Sequence, residues 1–120
     1  MAIARVLTVA GGVCGAAGVA LSAAAAHAGG DDTGTAASFL LMHAGVFLAI
    51  GLARSGRPLR IAALVLLAGL ALFSGDLLMR DFAGMRLFPM AAPAGGSLMI
   101  LGWIAVAITG AFARARPAGA

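Results

Sequence analysis

Three side chains carry chemistry at odds with their surroundings. His27, His43 and Asp76 lie inside or beside long apolar runs, with Ser74 and Ser97 falling in the same halves of their runs. Ionisable groups at membrane depth are costly and are kept for a reason. Two imidazoles and a carboxylate can relay protons, bind a small polar ligand, or supply three ligands to a metal ion. Met42, Met79, Met85, Met90 and Met99 gather toward the same end, and methionine with histidine would suit copper. A plainer interpretation accounts for the same residues. Asp76 stands one helical turn before Arg80, the spacing of an i,i+4 ion pair. Methionine is an ordinary apolar filler. The expectation is therefore a polar cluster of His27, His43, Ser74 and Asp76 that fixes helix packing, with no metal, no cofactor and no catalytic residue.

The elements that must hold these residues are plain from the apolar pattern. Val6 to Ala26, Thr33 to Ala53, Ile61 to Met79 and Pro93 to Phe112 are almost uninterrupted by charge. About 20 such residues cover the hydrocarbon core of a bilayer as a helix. The chain has 120 residues, 62% of them hydrophobic, more than a soluble domain of that size can hide. The expected architecture is all-α: one integral membrane domain over 1–120, a four-transmembrane-helix bundle with spans near 6–26, 33–53, 61–79 and 93–112. All its basic residues are Arg. Arg5, Arg54, Arg57, Arg60, Arg114 and Arg116 fall at one end, Arg80 and Arg86 at the other, so the positive-inside bias places both termini in the cytoplasm. The basic balance thus reports orientation, and nucleic-acid binding is not expected. The lone Cys14 excludes an intramolecular disulfide.

The first 28 residues also read as a secretory signal: Arg5, an apolar centre, and Ala-His-Ala ending at Ala28. The apolar centre is longer than a usual signal core. Gly11 and Gly15 form a G-x-x-x-G pair that lets helix backbones approach in lipid, which favours a retained span.

Facing follows from 100° per residue. Asp76 shares a face with Gly69 and Ala62 and should point into the bundle. The small seam of span two is Ala37, Ala44 and Gly51, and His43 sits about 100° from it, on a flank of the bundle or toward a partner chain. Asp32 or Thr33 should cap the second helix. Gly11, Gly15, Gly69, Gly95, Gly96, Gly102 and Trp103 are the expected packing residues. Trp103 lies mid-span, away from the interface where Trp collects, and its N–H needs an acceptor.

Ala25-Ala26-His27-Ala28, Met42-His43-Ala44, Leu72-Phe73-Ser74-Gly75, and Pro93-Ala94-Gly95-Gly96 with Leu101-Gly102-Trp103 appear in that order. This ordered set resembles the YgdD-like small membrane proteins, catalogued as domain of unknown function 423. The resemblance implies a four-helix protein of the bacterial inner membrane, with His27 and His43 as family positions and no settled activity. Asp76-Leu77-Leu78 and the short Gly29-Gly30-Asp31-Asp32 depart from the family pattern. No nucleophile elbow, P-loop or dinucleotide fingerprint is present. The expected role is non-enzymatic: an accessory or assembly component packed against a larger membrane complex, or self-associating, in the lipid bilayer. The alternative is a small transporter or proton-coupled channel using the polar cluster.

Overall fold

The computed structural model describes residues 2–113. The expected Arg114 and Arg116 at the basic end lie outside those residues. Four helices follow one another: α1 Ala2–Ala28, α2 Asp31–Leu52, α3 Arg57–Ala83 and α4 Ala91–Ala111. All four are long and apolar enough to cross a membrane.

The helices outrun the apolar stretches that predict them. The stretches mark hydrocarbon thickness, whereas backbone hydrogen bonding carries a helix on until something stops it. At 27 residues, α3 is about 40 Å long, against about 30 Å of hydrocarbon. It starts at Arg57, with Pro58 tolerated in the first turn where its missing N–H costs nothing. It ends where Gly84 takes a left-handed conformation, φ 68°, and donates its N–H to the carbonyl of Arg80. The connection expected over 80–92 therefore shrinks to 84–90. Phe82, Met85, Leu87, Phe88 and Met90 around it remain exposed, as an interfacial segment requires. The α1–α2 turn is only Gly29 and Gly30, with φ of 79° and 111°, values that favour glycine.

The cap expected at Asp32 or Thr33 is supplied differently. The N-cap is Gly30, which has no side chain to offer. Instead Asp81, from the far end of α3, accepts from the Thr33 backbone N–H at 2.6 Å and from the Thr33 hydroxyl at 2.7 Å. One of the orphan donors of α2 is thus satisfied from another helix. Asp31 and Asp32 stay in the first turn, where the helix dipole favours them.

α1 packs on α2 and α3 on α4, and the two hairpins meet chiefly through α2 and α3. Among the described residues no Cα of α4 comes within 8 Å of α1 or α2. The bundle is therefore open on the α4 side, with its core around Leu7, Phe47, Leu66, Leu70 and Met99.

Small residues set the close approaches, at a spacing of seven. Gly11 and Gly18 face Leu48 and Leu41 of α2, and Gly51 faces Thr8 of α1. Gly69 and Gly95 meet backbone to backbone, and Gly102 receives Leu66. Two of the expected packing glycines do not belong. Gly15 has ordinary spacing, its nearest neighbour 3.9 Å from where a Cβ would stand, and a Cβ on Gly96 would meet nothing within 4 Å. The working pair on α1 is Gly11 with Gly18, because near-antiparallel helices meet along a seven-residue seam.

Candidate functional site

His43 is 1% exposed, and it points inward. The expectation of a flank or partner-facing position is corrected by one contact: Trp103 Nε1–H of α4 donates to His43 Nε2 at 3.2 Å. With Nε2 accepting, the proton sits on Nδ1, which donates to the Phe39 carbonyl at 2.8 Å. The imidazole is further held between Phe39 and Phe47, each with a ring centroid 6.2 Å away. Both ring nitrogens are occupied.

Trp103, expected mid-span as a packing residue with an N–H in need of an acceptor, finds that acceptor in His43. It is 40% exposed, at the edge of the core. Its aromatic body borders the opening between α2 and α4 while its N–H reaches inward to His43. This pair spans the two helices whose backbones stay apart. Both residues carry the signal of a mid-span polar atom, and each is the other's simplest partner. Neighbouring helices had to be known before they could be joined.

Asp76 is fully buried, on the inward face expected of it. Arg80 Nη2 donates to its Oδ2 at 2.8 Å, the i,i+4 pair read from the sequence. Its other oxygen, Oδ1, accepts from the backbone N–H of Leu87 at 2.8 Å. That bond ties the 84–90 connection back onto α3. The partner is a backbone group, which carries no sequence signal. Asp81 with Thr33 is a second such tie, and it went unread because its two ends lie 48 residues apart.

The four residues expected to form one polar cluster therefore separate. His43 belongs with Trp103 and Phe39, and Asp76 with Arg80 and Leu87. The Ser74 hydroxyl is buried without a hydrogen-bond partner. His27 is exposed in the last turn of α1, where a basic group suits the helix dipole. Among the described residues no three His, Cys, Asp or Glu side chains gather closely enough to hold a metal ion. Of the methionines, Met42 and Met99 both border the space beside His43, whereas Met85 and Met90 face outward.

Because α4 stands clear of α2, a cleft opens between them. It is lined by Phe39, His43, Phe73, Met99 and Trp103, with a volume of about 280 Å³. Its walls are almost wholly apolar, with His43 and Trp103 the two rings that carry a polar atom.

The sequence model of a family described as a protein of unknown function (DUF423) matches residues 14–96. That segment contains α2 and α3 entire, the Asp76–Arg80–Leu87 network, His43 with Phe39, and the start of α4, while Trp103 lies beyond it. No solved structure matches the chain.

Proposed function

We propose that this chain, which belongs to the DUF423 family of proteins of unknown function, is a non-catalytic helical component that packs in the membrane against a larger membrane complex. One observation carries the proposal. Both ring nitrogens of His43 and both carboxylate oxygens of Asp76 are spent on bonds that hold helices and a loop in place. Groups so engaged hold helices and a loop in a fixed arrangement. What remains for interaction is the outside of the bundle. There α1 is the least covered helix. Gly12, Ala16, Ala20 and Ala23 lie on its exposed side beside Val9, Val13 and Val19, whereas the exposed side of α4 carries the bulkier Ile100, Leu101, Ile104 and Ile108. Small residues allow another helix to approach closely. The distribution of arginines favours both termini in the cytoplasm, and the family resemblance favours a bacterial inner membrane.

The test is the size of the assembly purified in mild detergent from its own membrane. Ala16→Leu should release this chain from its assembly, while Ile104→Ala leaves it associated. A wild-type chain that runs as a lone monomer, or an assembly indifferent to Ala16→Leu, would overturn the proposal. Ion flux that disappears in His43→Ala with the fold intact would favour transport instead.

A further inference from the structure

The cleft between α2 and α4 holds a donor set of its own. His43 enters it with Nδ1–H fixed on the Phe39 carbonyl at 2.8 Å, so the lone pair of the ring is on Nε2. A metal-ligating histidine is held in the same way, its second nitrogen steadied by a backbone or carboxylate acceptor. Nε2 receives the Trp103 N–H at 3.2 Å, a longer bond than any other made by His43 or Asp76.

Two thioethers border the same space. Met42 comes from α2, next to His43, and Met99 from α4, one turn before Trp103. One helix thus brings a nitrogen and a sulfur, and the facing helix a sulfur and an indole. The indole centroid is 5.7 Å from that of the imidazole. An aromatic face attracts a cation within about 6 Å.

Every one of these donors is neutral, and no carboxylate lines the cleft. Calcium and magnesium take oxygen ligands. Zinc is held by thiolate, imidazole or carboxylate. Thioether selects copper(I) instead, and imidazole suits copper as well. A single positive charge also suits a site at membrane depth, where each charge is costly.

Access is from the 84–90 end. The cleft shares Phe73 and Ile100 with a hollow of about 600 Å³ that runs on toward Ser97 and Pro93. That end carries Asp31, Asp32, Asp76 and Asp81 against Arg80 and Arg86, a balance that draws cations in. Met85 and Met90 stand exposed there and offer further thioethers at the interface.

We infer that His43, Met42 and Met99 form a binding site for one copper(I) ion, with the Trp103 ring as its cation–π wall. The His43–Trp103 contact keeps the donors together until the ion takes the place of the N–H on Nε2. No proton leaves, because Nδ1 keeps its own and the thioethers are neutral. The site shares no residue with the exposed side of α1, so it stands or falls apart from the proposed role in assembly.

The chain is purified in mild detergent and titrated anaerobically with copper(I), in competition with a chromogenic copper(I) chelator. Trp103 is the only tryptophan and there is no tyrosine, so tryptophan fluorescence reports on this site alone. One equivalent of copper(I) should quench it, and zinc(II) should leave it unchanged. Met99→Leu and Met42→Leu conserve volume and apolar character. Each should weaken binding about tenfold or more, since losing even an outer-shell partner does so. Cys14, the one thiol, lines a different hollow with Leu40 and Leu67, so Cys14→Ala should leave the affinity unchanged. No stoichiometric uptake by the wild-type chain overturns the assignment. So does an affinity unmoved in either methionine variant when that variant is folded, or lost with Cys14→Ala.

Discussion

The two hairpins are both closed by glycine, yet they tighten toward opposite ends. In α1–α2 the closest approach is at the arginine-rich end, where a Cβ on Gly51 would stand 2.5 Å from Thr8 Oγ1 and 2.9 Å from the Ala4 carbonyl. Toward the other end the contact becomes a side chain: Gly18 faces Leu41 Cγ at 2.6 Å. In α3–α4 the order is reversed. Gly69 and Gly95 meet backbone to backbone toward the loop end, and Gly102 at the deeper end faces the Leu66 side chain. A leucine can rotate away from an added methyl, and a backbone cannot. The looser end of α1–α2 is also where Asp81 reaches across from α3 to hold Thr33. Where glycine packing relaxes, a polar tie takes over.

This contrast can be broken at four places. The largest effect is expected for Gly95→Ala. Its methyl would lie 2.5 Å from the Phe73 backbone nitrogen and 2.8 Å from the Gly69 carbonyl. Overpacking against backbone should cost about 3 kcal/mol, read as an earlier unfolding midpoint in mixed micelles. Next comes Asp81→Ala, which strips the acceptor from two Thr33 donors. A loss of about 2 kcal/mol is expected, with faster hydrogen exchange confined to the first turn of α2. Gly18→Ala should cost only about 1 kcal/mol, since Leu41 can yield. A loss as large as that of Gly95→Ala would show that the two hairpins are equally rigid. The smallest effect belongs to Trp103→Phe, which keeps the ring and removes the donor to His43. Hydrogen bonds between membrane helices average about 0.6 kcal/mol, so its midpoint should barely move while the His43 imidazole NMR signals shift.

The inward face of Asp76 was legible from its seven-residue spacing to Gly69 and Ala62, and so was its pairing with Arg80, because both are properties of one helix. The partners beyond that helix were not. Leu87 contributes a backbone N–H, which any residue would offer. Asp81 could have been sought by asking what satisfies a helix that opens on glycine, but the answer lay on a helix whose neighbours were unknown. Gly95 and Gly96 look alike in sequence, yet one faces backbone and the other the cleft beside His43. Gly11 with Gly15 matched a familiar motif, whereas the contact uses Gly11 with Gly18.

By itself the sequence determined that four apolar helices form and which way their charged ends are biased. These follow from hydrophobicity and helix periodicity, which act within a single segment. It also determined that Asp76 and Arg80 pair, since one helical turn brings them together. Only the tertiary structure decided that α4 stands away from α2, that His43 meets Trp103 across the gap, and that Asp76 holds the Leu87 backbone. Those outcomes depend on how closely two particular backbones approach, and that is set by the glycine on one helix and whatever faces it on the next.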